Sequence, residues 1–217
     1  MRQIKFRDGT TINPGKIIGL GRNYLDHIRE LGNAVPERAV IFCKPQSSLL
    51  EDGGMIILPE FAQECHYELE LAVLIGKNGK KIVAESAFAH VAGYAVALDL
   101  TLRDLQTELK NNGLPWDIAK GFDTSCPLSD FVPADQVTNS NNLGLQLKVN
   151  GLIRQQGNTA QMMRSIEEII AEISIYFTLE PGDIILTGTP AGVGKLNSGD
   201  TLEGSIDQVG TLTVGVA

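Results

Sequence analysis

From Tyr67 to Ile75 an apolar residue stands at every second position: Tyr67, Leu69, Leu71, Val73 and Ile75. A period of two belongs to a β-strand, so the stretch HYELELAVLIG, running from His66 to Gly76, reads as a strand with one packed face. The same period sends His66, Glu68 and Glu70 together to the opposite face, with the two carboxylates roughly 7 Å apart. Away from water, each carboxylate raises the cost of ionising the other, and only solvent, a basic partner or a metal ion relieves that cost. The plain reading is the wet face of a half-exposed sheet, and the pattern by itself allows both that and a site.

A third acid shifts the balance. The apolar run GYAVAL, residues 93–98, ends in Asp99, where a strand delivers its last side chain. Three carboxylates without a cysteine or an obligatory imidazole suit a hard cation such as Mg²⁺ or Mn²⁺, which leaves positions open for water and substrate oxygens; zinc is the poorer match. His66 reads as a packing or supporting residue.

The rest of the chain is rich in strands. Asp8-Gly9 between Ile4, Phe6 and Ile12 predicts a hairpin, and Asn150-Gly151 between residues 143–149 and 152–155 predicts another, because both pairs tolerate positive φ. Short strands are expected at 16–20, 40–43, 55–58, 91–100, 182–186, 201–202 and 211–216. Helices are expected at 22–31, ending at Gly32, and at 101–113, where Thr101 and Asp104 resemble a capping box. The clearest helix covers 165–177, with Ser165 and Glu168 as a capping box and Ile166, Ile169, Ile170, Ile173 and Phe177 on one stripe. No internal repeat or linker divides the chain, so one domain over 1–217 is expected.

Composition narrows the partners. A net charge of −8 with no Lys/Arg cluster argues against nucleic acid. Cys43, Cys65 and Cys126 are odd in number and widely spaced, which predicts reduced, packed thiols rather than disulfides or a zinc site. The N-terminus has charges and no apolar block, and no run of about 18 apolar residues follows, so the expectation is a cytoplasmic protein that neither crosses nor anchors in a membrane.

Five blocks at this order and spacing, GLGRNYLDHIRE, HYELELAV, VALDLTLRDLQ, GLPWDIAKGFD and GDIILTGTPAGVG, resemble the fumarylacetoacetate hydrolase family. The likeness runs from about Ile17 to Val193 and is strongest to the short acylpyruvase and oxaloacetate-decarboxylase branch. It implies an α+β fold, a mixed β-roll with short flanking helices, and a homodimer. It makes Glu68, Glu70 and Asp99 the metal ligands and adds what spacing does not show, chelation of the ion by the keto and carboxylate oxygens of a 2-oxo acid.

The resemblance also assigns roles that the residues alone leave open. Lys120, otherwise an ordinary surface lysine, matches the family's active-site lysine. His27 and Glu30 share a helix face, so the carboxylate can steady the imidazole as a general base, and in similar proteins their segment is a lid; the competing account is an ordinary surface pair. Arg103 and Gln106 share a face beyond Asp99, and the family pattern places Gln106, with Arg103, on the substrate. Thr189, in the glycine-rich stretch 187–194, matches a carboxylate-binding threonine; that stretch lacks the ending of a P-loop.

The function implied is a Mg²⁺- or Mn²⁺-dependent hydrolase that cleaves a carbon–carbon bond in an acylpyruvate through a pyruvate enolate. Oxaloacetate decarboxylation and oxaloacetate keto–enol tautomerisation use the same electron sink. A non-catalytic module, in which the ion merely ties strands together, is the reading from another class.

Overall fold

In the computed structural model, which describes residues 3–217, the alternating stretch is two strands rather than one. Met1 and Arg2, the start of the charged N-terminal stretch, lie outside the described residues. Cys65–Tyr67 and Leu69–Ile75 are separated at Glu68. The neighbouring run breaks at the same level, into Val91–Leu98 and Thr101–Leu102. Leu69–Ile75 pairs antiparallel with Val91–Leu98, whereas Cys65–Tyr67 pairs with Thr101–Leu102 in a separate small sheet completed by Gly194–Lys195. Between the two ladders the Asp99 N–H donates to the Glu68 carbonyl at 2.8 Å. Glu68 and Asp99 therefore sit side by side where two paired strands change sheets.

The large sheet carries the strands in the order Val40–Lys44, Ile17–Gly21, Ile184–Leu186, Leu69–Ile75, Val91–Leu98, Cys126–Leu128 and Leu49–Glu51, with Val132–Pro133 also paired to Val91–Leu98. Ile17, near one end of this order, and Leu49, at the other, belong to one apolar cluster with Ala72, Ala95 and Ala97 from its centre. Alanines at the centre let the two ends approach, so the sheet curls. Its other face packs against a five-stranded sheet, Leu152–Asn158, Gly144–Val149, Thr201–Ile206, Gly210–Val216 and Met55–Ile56, and against the helix Ile166–Tyr176. Leu69–Ile75 is buried along its whole length because it lies between these two cores.

Local chemistry explains most boundaries. Ser165 and Glu168 make both bonds of a capping box at the start of Ile166–Tyr176, and Ile166, Ile169, Ile170 and Ile173 are buried, as the stripe predicts. Asn150 and Gly151 turn the second hairpin at φ +52° and +75°, and the first hairpin pairs Ile4–Lys5 with Thr11–Ile12. The helix predicted at 22–31 is only Leu25–Glu30, because Arg22 has φ +61° and extended Tyr24 bridges to Met162. It stops, as expected, before Gly32 at φ +61°.

The capping box expected at Thr101 is absent. Thr101 lies in a strand, and its hydroxyl serves the Asp99 carbonyl and the Lys120 ammonium; the helix begins at Arg103 and runs to Asn111 without a side-chain cap. Asp104 instead accepts from the Gln63 N–H at 2.7 Å.

Candidate active site

One cleft of about 200 Å³ is lined by His27, Glu68, Glu70, Asp99, Arg103, Gln106, Lys120 and Thr189. Eight of the nine predicted site residues thus face a common space, and the ninth, Glu30, holds one of them. The wet-face reading fails on burial: Glu68, Glu70 and Asp99 are 4%, 2% and 1% exposed. One ligand oxygen from each lies within 4.8 Å of the others.

Each carboxylate has a different environment. Glu68 Oε1 pairs with Arg103, and Oε2 accepts from Lys120 Nζ at 3.0 Å. Burial by itself raises the carboxyl's pKa, but Lys120 and Arg103 outweigh it and hold Glu68 below its ordinary value. Asp99 Oδ2 accepts from Lys120 at 2.6 Å, and Oδ1 lies 2.8 Å from Lys44 Nζ as an ion pair without hydrogen-bond alignment. Among the described residues Glu70 has no ion-pair partner, and its Oε2 accepts the Gly188 N–H at 2.6 Å. Burial, with the Asp99 and Glu68 charges added, pushes Glu70 well above the usual carboxylate range.

That contrast tests the fit of a metal. A buried carboxylate held among two others, with a single backbone donor, lacks the positive charge that its neighbours have. The donor set contains neither thiolate nor imidazole, so it matches a hard divalent ion such as Mg²⁺ or Mn²⁺. Gly188 aims its N–H at Glu70 from φ +98°, and a Cβ there would come within 2.8 Å of Asn23 Cβ, so glycine is required on both counts.

Lys120 is 3% exposed rather than a surface residue, and its ammonium is shared among Glu68, Asp99 and the Thr101 hydroxyl, the last at 2.7 Å. Burial disfavours the charge, yet Asp99 and Glu68 more than compensate, so its pKa is raised. The ammonium also lies 4.6 Å from the centre of the Phe42 ring. Phe42 reaches across the neighbouring strand because residue 19 is glycine; a Cβ there would come within 2.2 Å of the ring.

His27 is buried, and its Nδ1 lies 3.4 Å from Glu30 Oε2. Glu30 Oε1 accepts the Gly192 N–H at 3.0 Å, which ties the short helix to the glycine-rich loop. Arg103 is occupied by Glu68 and by Gln106 Oε1, at 2.7 Å in the second case, so Gln106 keeps its amide donors for the cleft. Thr189 Oγ1 accepts from Gln155 Nε2 at 2.8 Å, which leaves the hydroxyl hydrogen to donate.

Sequence reasoning missed the supports. Gln155 is fully buried in the second hairpin, where it also accepts from the Leu69 N–H at 2.9 Å and donates to the Pro190 carbonyl at 2.9 Å. Asn23 bonds the Thr187 carbonyl and both backbone groups of Arg164. Lys44, at the end of the strand VIFCK and one residue beyond the strand expected at 40–43, is 2% exposed. His66 does not join the cleft: the break at Glu68 leaves it in the small sheet, opposite Thr101 and 3.9 Å from Glu64. All three cysteines are free, and Cys65 and Cys126 are buried.

Comparison with known proteins agrees with this geometry. The family model described as fumarylacetoacetate (FAA) hydrolase C-terminal matches residues 16–217. An oxaloacetate tautomerase of Escherichia coli (strain K12) is 49% identical over 193 residues, covering 88% of each chain. The mitochondrial oxaloacetate tautomerase of Bos taurus is 47% identical over 193 residues, covering 89% of this chain and 87% of that one. A solved fumarylpyruvate hydrolase from Pseudomonas aeruginosa, in complex with Mn²⁺ and pyruvate, superposes with a TM-score of 0.96 at 37% identity, covering 100% of this chain and 95% of that chain. The curled mixed sheet with few helices is the α+β fold that the five sequence blocks imply. This chain is an enzyme that belongs to the fumarylacetoacetate hydrolase family.

Proposed function

We propose that the enzyme hydrolyses a carbon–carbon bond in acylpyruvate-type 2-oxo acids, with oxaloacetate decarboxylation or keto–enol tautomerisation as the alternative at the same site. The observation that carries this reading is the meeting, in one cleft, of three buried carboxylates, a lysine ammonium and a carboxylate-steadied imidazole. Glu68, Glu70 and Asp99 would hold a divalent ion, which supplies Lewis-acid polarisation of the keto oxygen and charge opposite an enolate.

The chain's own groups do the rest. Thr189 donates its hydroxyl to the substrate carboxylate, and Gln106 donates an amide N–H beside it. The Lys120 ammonium lies where it can share the negative charge of the enolate oxygen. His27 takes a proton from water as the water attacks the distal carbonyl, while Glu30 stabilises the resulting imidazolium. The carbon–carbon bond then breaks with its electrons going to the enolate, and protonation of the enolate carbon gives pyruvate and a carboxylic acid. Tautomerisation of oxaloacetate needs only proton transfer around the same enolate.

A further observation favours substrates with a second carboxylate. Arg22 and Lys110, both lining the cleft, donate to the same Asn33 Oδ1 at 3.2 and 2.5 Å, and neither has a carboxylate partner among the described residues. Two like charges converging on one neutral oxygen are stabilised by an anion between them. Oxaloacetate or an acid-terminated acylpyruvate supplies one; acetylpyruvate does not.

The test is a parallel assay of oxaloacetate, fumarylpyruvate and acetylpyruvate with Mn²⁺ or Mg²⁺, following pyruvate release, carbon dioxide release and enol loss separately. Turnover of none of the three sinks the reading. Arg22→Met is expected to raise KM for the two dicarboxylates by about tenfold or more and leave acetylpyruvate within about threefold; equal effects on all three would remove the second-carboxylate argument. A small 2-oxo acid is thus the partner proposed. The homodimer implied by family likeness is checked by sedimentation, and a cytoplasmic location fits the free thiols. No helix among the described residues is long and apolar enough to cross a membrane.

A further inference from the structure

Lys44 has no part in the chemistry above, yet its side chain is fully enclosed beside Asp99, one of the residues that line the cleft. Its Nζ is surrounded by oxygens: Asp99 Oδ1 at 2.8 Å, the Leu100 carbonyl at 3.2 Å, the Ser125 carbonyl at 3.0 Å, Ser125 Oγ at 3.2 Å, and the Lys120 carbonyl. These atoms come from three separate segments. Ser125 Oγ, in turn, donates to the Lys120 carbonyl at 2.8 Å. A cage of carbonyl, hydroxyl and carboxylate oxygens is the coordination chemistry of a hard cation. Here the cation arrives on a tether from the strand Val40–Lys44.

We propose that Lys44 is a built-in monovalent cation that positions the two working groups on either side of it, Asp99 and Lys120. By engaging Asp99 Oδ1 it turns Oδ2 towards the cleft, where Lys120 Nζ meets it at 2.6 Å. By engaging the carbonyl of Lys120 it fixes the backbone from which that side chain projects. The tether makes the site independent of potassium or ammonium in solution. Removing the tether while leaving the oxygens turns the cage into a small-cation site, and function then depends on an ion of the right size. The proposal rests on the reading of Asp99 as a metal ligand and Lys120 as an active group.

The experiment compares Lys44→Ala, Lys44→Met and wild type in ammonium chloride, potassium chloride and choline chloride at equal ionic strength. Choline serves as a cation too large for the cage. For Lys44→Ala, folded by circular dichroism and saturated with Mn²⁺, kcat should fall about 100-fold in choline and recover at least about tenfold in ammonium or potassium, with KM moving less than about threefold. Without divalent metal, the same variant should melt roughly 10 °C below wild type in choline and regain part of that loss in ammonium. Lys44→Met fills the volume of the stem without a charge, so it should lose turnover and show no rescue.

Equal behaviour of Lys44→Ala in ammonium and choline overturns the proposal, and so does wild-type turnover by Lys44→Met. Failure of both variants to fold in every salt also overturns it, because the lysine then serves the core rather than the site. Absence of turnover in wild type sinks the functional reading instead, and the metal-free melting comparison still reports on the cage.

Discussion

Glu70 concentrates the electrostatics of the site in one side chain. Burial first, and then the Asp99 and Glu68 charges, raise its pKa well above the ordinary value near 4.5. The metal-free folded chain therefore binds a proton that the unfolded chain has released, and it loses stability as pH rises through the interval between the ordinary and the raised value. Glu70→Gln keeps an acceptor for the Gly188 N–H and removes the charge. Its metal-free form should melt a few degrees higher than wild type at neutral pH and should lose Mn²⁺ binding in calorimetry. A lower melting temperature would show that the carboxylate is not strained. Lys120 and His27 separate differently. Lys120 bonds Glu68 Oε2 and Asp99 Oδ2 and so competes with the divalent ion proposed for those carboxylates; Lys120→Met should therefore bind Mn²⁺ at least about tenfold more tightly while turnover collapses. His27→Ala should bind Mn²⁺ as wild type does and lose about 10²–10⁴-fold in hydrolysis; unchanged hydrolysis would exclude it as the base.

At the scale of elements, the period-two pattern and the capping signals were legible because they report on nearest neighbours. Ser165 and Glu168 close both bonds of the expected box, and Ser165→Ala should cost about 1 kcal/mol, read as a fall of roughly 2–4 °C in melting temperature with kcat unchanged. An unchanged melting temperature would mean that the cap contributes nothing. The break at Glu68 was not legible, since an unbroken alternation gives no sign that two halves of a strand pair in different sheets. Thr101 failed as a cap for the same reason: its competing partners, Lys120 and the backbone of Asp99, are set by tertiary packing. The convergence of the three acids could be read from strand period and residue type, which made them candidates for a hard cation. The lysine, the imidazole and Thr189 needed the family likeness to rise above ordinary surface residues, and Gln155 and Lys44 gave no signal, because a buried polar side chain is recognised only through what surrounds it.

For the whole molecule, the fold places the cleft where stability and chemistry can be separated. The two apolar clusters on either face of the curled sheet form without the cleft's carboxylates, so chelation should leave a folded, inactive protein rather than an unfolded one. Loading with Mn²⁺ at a hundred times its Kd should add about 2.7 kcal/mol, which for a chain of this size is roughly 5–10 °C in melting temperature. Global unfolding on chelation would favour a purely structural ion and count against catalysis. The joint between the ladders supports the proposed ion site: the backbones of Glu68 and Asp99 are bonded to each other, and the Glu70 carboxylate is held by the N–H of Gly188. Diffraction at the manganese absorption edge, from crystals grown with Mn²⁺, tests this convergence most directly. The predicted result is a single strong anomalous peak bonded by one or more oxygens from each of Glu68, Glu70 and Asp99. A peak elsewhere, or none in the cleft at saturating Mn²⁺, would contradict it.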